Sequence, residues 1–355
     1  MSRVVVTGSA GFIGRHTTRA MSEAGHDVYG YDLVPPIEEA SDRQGDIRDR
    51  ADLAEAVLGA DVVVHLAAKV GLGVDLADID DYVSNNDLGT AVVLRAMAEV
   101  GCRRLVVASS MVVYGEGRYI CEIHGSTAPG PRTETDLENG LYDPRCPSCG
   151  RVLTTELVGE DAPFDPRNAY AASKVATEHL TRVWAREVDG TAVALRFHNV
   201  YGPGMPANTP YAGVASLFAA ALARGEAPRV FEDGGQRRDF VHVTDVAAAI
   251  STSVGAALQR PGSALPAGVV TAFNVGSGIP HTVGELAAEL ATGLDGPAPL
   301  VTGEYRLGDV RHITASSRKI ADQLGWRAGI SFETGIAAFA AERRTAGAGP
   351  SSELS

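Results

Sequence analysis

The chain has 355 residues, with 31 Lys and Arg against 44 Asp and Glu for a formal net charge of −13, and it is 45% hydrophobic and 21% charged. This composition excludes disorder, collagen and coiled coil, and the length calls for one large domain with a smaller one beside it. The acidic balance argues against a nucleic-acid partner, whose phosphates need a basic surface. No apolar run approaches the roughly 18 residues of a membrane helix, residues 215–223 being the richest stretch, so no membrane partner is expected. Arg3 leads directly into Val4-Val5-Val6, which leaves no room for a secretion signal and gives the expectation of a cytoplasmic protein. Four cysteines cannot build a disulfide scaffold.

In chain order, short Val-rich runs predict strands over residues 3–7, 27–31, 61–66, 104–108 and 191–196. Helical patterns predict helices over 12–24, 50–58, 82–100 and 168–188. This alternation implies α/β architecture, a doubly wound Rossmann-type parallel sheet with right-handed crossovers. Beyond Asn199 the pattern turns irregular at Gly202-Pro203-Gly204 and Pro206. The expected division is a dinucleotide-binding domain of residues 1–115, 151–200 and 238–260, and a smaller C-terminal substrate domain of 201–237 and 261–343. Residues 116–150 form an insertion, and 344–355 read as a flexible tail.

Directly after the first strand comes Thr7-Gly8-Ser9-Ala10-Gly11-Phe12-Ile13-Gly14. Glycines 8, 11 and 14 before a helix let backbone N–H groups and the helix dipole approach a pyrophosphate. Asp32 ends the next strand 18 residues past Gly14. A carboxylate there accepts from the adenosine ribose and repels a 2′-phosphate, which selects NAD over NADP.

The spacing GxxGxxG resembles the short-chain dehydrogenase/reductase superfamily. Gly45-Asp46-Ile47, His65-Leu66-Ala67-Ala68, Asn86-Asp87-Leu88-Gly89-Thr90 and Tyr170-Ala171-Ala172-Ser173-Lys174 are similar to its extended branch, the nucleotide-sugar epimerases and dehydratases. The resemblance runs from residue 3 to about residue 340. It implies that Asp46 and Ile47 flank the adenine, that Leu66, Ala67, Ala68 and Lys69 line the ribose and nicotinamide side, and that Asn86 braces the central strand.

Tyr170 and Lys174 are four apart on a predicted helix and share a face. An ammonium beside a phenol stabilises the phenolate, so Lys174 is expected to lower the pKa of Tyr170 and make it a usable base. The resemblance selects Ser110 as the hydroxyl that bonds the sugar oxygen and relays the proton, and leaves Ser109 as a cap on the strand end. It also decides the reaction. The related 4,6-dehydratases carry Asp-Glu at the two positions after that serine, whereas here stand Met111 and Val112, which cannot move protons. Tyr, Lys and Ser alone suffice for C4 oxidation of a UDP- or dTDP-sugar by NAD and hydride return to the opposite face: a 4-epimerase. A reductase of a 4-keto nucleotide sugar would use the same residues, and a non-catalytic nucleotide sensor could keep the fold.

For the substrate, the resemblance implies Arg238 and Arg311 as diphosphate anchors, Asn199 reaching the same group and Phe231 packing near the base. His198 departs from the family's apolar residue before that asparagine and is either a sugar contact or a core histidine. The resemblance further implies a homodimer through helices 82–100 and 168–188.

Tyr170 follows Tyr114 by 56 residues, far more than the family's usual interval, and unsupported loops of that length are uncommon. Cys121-Glu122-Ile123-His124-Gly125 and Cys146-Pro147-Ser148-Cys149-Gly150 form CxxH and CxxC knuckles. Cys121, His124, Cys146 and Cys149 suit a structural zinc with its coordination shell filled. Cys102 reads as a small core residue. Leaving the Ser110 strand and returning before Tyr170, the insertion is expected at the rim of the cleft as a lid or specificity wall.

Overall fold

Three consecutive valines, Val4, Val5 and Val6, fit a strand only if both its faces are covered, because successive side chains point to opposite sides. The computed structural model, which describes residues 1–35, 42–71, 76–206, 213–259 and 265–347, shows this arrangement. The chain begins β1 (Arg3–Thr7), α1 (Phe12–Glu23), β2 (Asp27–Asp32), β3 (Arg43–Gln44), α2 (Arg50–Ala56) and β4 (Val62–His65). α3 (Ile79–Tyr82), a π-helical segment over Val83–Leu88 and α4 (Gly89–Val100) follow without a break in helical backbone and lead to β5 (Arg104–Ser110). The insertion holds β6 (Arg118–Cys121), β7 (Gly125–Ser126), α5 (Glu134–Glu138) and β8 (Thr154–Glu156), before α6 (Ala169–Val188) and β9 (Thr191–Phe197). The remainder is β10 (Asn199–Tyr201), α7 (Val214–Ala223), β11 (Arg229–Val230), β12 (Arg237–His242), α8 (Val243–Leu258), β13 (Val269–Val275), β14 (Pro280–Thr282), α9 (Val283–Gly293), β15 (Leu300–Val301), β16 (His312–Ile313), α10 (Arg318–Leu324) and α11 (Phe332–Gly347).

Seven parallel strands run in the order β13-β9-β5-β4-β1-β2-β3. The order reverses between β1 and β4, so their carboxyl ends open the crevice where doubly wound sheets bind ligands. Val4, Val6, Val62, Val64 and Val106 pack with Val246, Ile250 and Val254 of α8 on one face. Val5, Val63, Leu105 and Val107 pack with Leu53, Val93, Met97 and Trp184 on the other. Side-chain alternation thus sorts a continuous apolar run into two cores.

The expected strands and helices all form, with ends shifted by one to three residues. Two boundaries are corrected. Val269–Val275, placed by the sequence in the smaller domain, pairs with β9 along its whole length as the edge of the large sheet. Arg237–His242 joins β10, β14 and β16 in a separate small sheet, although α8 directly after it covers the large one. Of the expected tail from 344, residues 344–347 belong to α11, and 348–355 lie outside the described residues.

Candidate active site

The turn after β1 is shaped for close approach. Gly8 has φ +75°, donates its N–H to the Tyr31 carbonyl at 2.8 Å, and a Cβ there would stand 2.7 Å from the Ala67 nitrogen. Only glycine fits between the ends of β1 and β4. Gly11 caps α1 with no side-chain acceptor on the first helical amides, which leaves the N-terminus of Phe12, Ile13 and Gly14 suited to an anion. Asp32 accepts from the N–H of Ala10 and of Val34, each at 3.0 Å, so the carboxylate also fixes the turn.

Asp46 is ion-paired with Arg48 at 2.6 Å, an ion pair that lowers its pKa. Ile47 is buried against Gly89. Leu66 donates to the Thr7 carbonyl at 3.0 Å, and Ala67 and Ala68 continue toward Lys69. Asn86, on the π-helical segment, accepts the Lys69 N–H at 2.7 Å and donates to the Lys69 carbonyl and Ser173 Oγ, both at 2.9 Å. Its one amide therefore fastens the loop after β4 to the first turn of α6. Lys69 itself pairs with Asp78 and Asp81.

Asn168 caps α6 by accepting from Ala171 at 2.8 Å, which sets Tyr170 in the first turn beside the end of β5. Tyr170 stands beside Ser110, whose hydroxyl favours the phenolate, while Lys174, 4% exposed, donates to the Ala108 carbonyl at 3.0 Å. The three predicted groups are together, but the electrostatics differ from expectation. Burial pushes the Tyr170 phenol up to about 12, against the lowering effect of the neighbouring Ser110 hydroxyl, with Tyr82 raising it further. Burial pushes Lys174 down to about 8, partly offset by Asp87. Lys174 Nζ sits 5.9 Å from the Tyr170 ring centroid with its proton given to Ala108, so desolvation outweighs the ammonium. Asp87, one position past the expected Asn86, has a buried Oδ1 without a hydrogen-bond partner among the described residues and is the sequence-visible group missed beside Lys174.

Ser109 is no strand cap. It projects opposite to Ser110 and donates to buried Glu178 at 2.6 Å; Glu178 is gripped bidentately by Arg196 at 2.8 Å and 2.8 Å. Met111 and Val112 form a tight turn after β5, where the Val112 N–H donates to Ser110 Oγ at 3.4 Å. No titratable side chain occupies either position.

Ser110 lies in register with Phe197, so His198 and Asn199 emerge at the same end of the sheet. Both His198 ring nitrogens and Asn199 Oδ1 are buried and have no hydrogen-bond partner among the described residues. Phe231 is half-buried, with the Arg306 guanidinium 5.3 Å from its ring centroid. The expected anchors are otherwise engaged. Arg238 donates to the backbone carbonyls of Arg237, Val310 and Arg311. Arg311, 2% exposed, is saturated by Asp143, Glu232 and Asp233 at 2.8–2.9 Å. Arg311 is thus enclosed by carboxylates, whereas exposed Arg306 holds no carboxylate among the described residues.

In the insertion, β6 pairs antiparallel with β7 and β8. Cys121 ends β6, and the CxxC knuckle closes with Gly150 at φ +72°. Cys121 Sγ is 3.5 Å from His124 Nδ1 and 3.6 Å from Cys149 Sγ, and Cys146 Sγ is 3.4 Å from His124 Nδ1. All four donor atoms lie within 4.8 Å of one another. The sulfurs are too far apart for a disulfide, whereas a tetrahedron with metal–sulfur bonds of about 2.3 Å has edges of about 3.8 Å. Backbone N–H groups of His124 and Ile123 hold the Cys121 thiol down to about 6, as a metal ligand requires.

Residues 4–137 and 149–276 match the NAD dependent epimerase/dehydratase family. A dTDP-L-rhamnose 4-epimerase from Burkholderia thailandensis is 31% identical over 350 residues, covering 94% of this chain and 93% of its own. A UDP-glucose 4-epimerase from Mycolicibacterium smegmatis is 28% identical, with 94% and 96% covered. Among solved structures, Thermus thermophilus UDP-glucose 4-epimerase in complex with NAD superposes with a TM-score of 0.76 at 27% identity, over 97% of this chain and 99% of that one. The fold agrees with that solved structure, and the chain belongs to the NAD-dependent epimerase/dehydratase family.

Proposed function

We propose that the protein is an NAD-dependent 4-epimerase of a UDP- or dTDP-hexose or deoxyhexose. The observation that carries this reading is Tyr170 placed beside Ser110 and Lys174 at the end of β5, with no further acid or base at Met111 or Val112. The names of the relatives, dTDP-L-rhamnose and UDP-glucose 4-epimerase, support it. NAD fits the glycine turn and Asp32, and when bound it supplies reversible acceptance of a hydride from a sugar carbon. Tyr170 in its phenolate form takes the proton of the C4 hydroxyl and later returns it, with Ser110 holding the sugar oxygen; burial disfavours that form, and the positive charge of bound NAD would favour it. Lys174 and the Ala108 carbonyl orient the base from below. The 4-ketose turns over while its nucleotide diphosphate stays anchored near Asn199, with Phe231 and Arg306 at the base. His198 faces the same end of the sheet as a neutral ring, since burial lowers its pKa to about 4.

Cys121, His124, Cys146 and Cys149 hold a structural zinc in this reading, with no open coordination position for chemistry. The chain works as a cytoplasmic homodimer through α4 and α6; exposed Val83, Leu88 and Val183 on these helical segments support that face. No helix among the described residues is long and apolar enough to cross a membrane.

The test is incubation with a panel of UDP- and dTDP-sugars without added NAD(P)H, following C4 isomers. Interconversion by purified protein is expected, and Tyr170→Phe should lower kcat by about 10²–10⁴-fold while NAD remains bound. Turnover that consumes stoichiometric NAD(P)H would reassign the protein as a reductase.

A further inference from the structure

The insertion does more than edge the cleft. Arg132, whose side chain is 7% exposed, donates to Glu232 at 2.6 Å and to the Asp309 carbonyl at 3.0 Å. Its Nε is buried without a hydrogen-bond partner among the described residues. Asp143 accepts from Arg311 Nε at 2.9 Å, and Arg311 in turn grips Glu232 and Asp233. Glu232, 2% exposed, has φ +53°, a left-handed backbone that a residue with a side chain adopts only when its surroundings enforce it. The enforcing contacts are the two guanidinium groups on its carboxylate, its N–H on the Glu304 carbonyl at 2.7 Å, and its own carbonyl accepting from Gly303 at 3.2 Å. That turn presents Phe231 directly before it and faces the ring with Arg306.

Arg132 and Asp143 both lie inside the loop between His124 and Cys146, the inner members of the two knuckles. A metal joining the knuckles closes this loop and fixes both residues at once. The family match is interrupted at 138–148, which takes in Asp143 and Cys146.

We propose that the metal-closed insertion sets nucleotide affinity, with Arg132 as the positioning residue that holds the Glu232 turn and so the Phe231–Arg306 shelf for the base. This rests on the nucleotide-sugar reading above. Without Arg132, a buried carboxylate keeps only one of its two cations, and the strained turn relaxes away from the ring.

Isothermal titration of the NAD-loaded, full-length protein with UDP and with dTDP tests it. Arg132→Ala should weaken the tighter-binding nucleotide by about tenfold, the scale of one charged hydrogen bond. It should raise KM for the nucleotide sugar with kcat little changed and leave zinc per chain unaltered. Arg132→Lys should recover part of the loss, because it restores the charge on Glu232. Stripping zinc from the wild-type protein with a chelator, or making Cys146→Ser, should reproduce the weakening while bound NAD is retained. Unchanged nucleotide affinity in Arg132→Ala, or in the zinc-free wild type, overturns the inference alone. Wild-type protein that binds neither UDP nor dTDP overturns the functional reading as well.

Discussion

The large sheet and the insertion solve the same problem by different means. The sheet buries Val, Leu and Ile on both faces in two extensive cores, which spread its apolar burial over many side chains. The insertion has a core of Tyr119, Cys121, Cys146 and Leu153, two of them metal-ligand candidates. A segment of this size cannot bury enough apolar surface to offset its chain entropy. Its order must come from polar staples: the Cys-His cluster at one end, and Arg132 and Asp143 at the other. Apolar burial in the sheet is spread over many residues, whereas the insertion concentrates its stability in a few.

Metal removal should break that comparison most visibly. Structural zinc in small modules supplies about 10–16 kcal/mol of apparent binding free energy at pH 7, nearly all of it coupled to folding. With Cys146→Ser and Cys149→Ser together, zinc content should fall to zero and limited proteolysis should cut within residues 122–150. The sheet, with bound NAD, should still unfold cooperatively near its original midpoint. An insertion that resists protease equally well without zinc would refute the contrast.

The two regions also differed in how legible they were. Short Val-rich runs alternating with helical patterns located most of the sheet because its strands repeat the same local signature. Tyr170 and Lys174 were readable because their relation spans four residues of one helix. Val269–Val275 is not among the expected strands; it pairs with β9 at an offset of 78 residues, and nothing local names a partner at that distance. β3, β11 and β15 are two residues long and carry no pattern. At the nucleotide end, Arg311 was chosen as an anchor because arginine at that place usually meets phosphate; its burial among Asp143, Glu232 and Asp233 depends on contacts 168, 79 and 78 residues apart. Charged residues reveal pairing only once the chain is folded, so Arg132 and Arg306 gave no signal of their roles.

A second experiment sharpens the comparison from the side of the sheet. Arg196 and Glu178 are both nearly fully buried, and they tie Tyr114, Ser109 and the Glu160 carbonyl into one network. Arg196→Leu strands the Glu178 carboxylate, which typically costs about 3–5 kcal/mol. Denaturant unfolding should show this as a global loss with unchanged zinc content, the reverse of the cysteine variants.

His198 gives the smallest effect and tests whether the rim of the sheet is as dry as its core. An unfolded histidine titrates near 6.5, whereas burial lowers the folded group to about 4. As pH falls below 6.5 the unfolded chain takes up the proton first, so this residue's contribution is fully present above 6.5 and is lost progressively down to 4. Between pH 7 and pH 5 the difference amounts to about 2 kcal/mol. His198→Phe keeps a ring of similar shape and removes the proton site, so its urea-unfolding free energy should fall by that much less than the wild type's over the same interval. His65, held by Thr7 and Thr90 and also kept neutral by burial, remains in both proteins and cancels from the comparison. Equal acid sensitivity in the two proteins would mean that water reaches His198, and that the end of β9 belongs to the open cleft, not to the core.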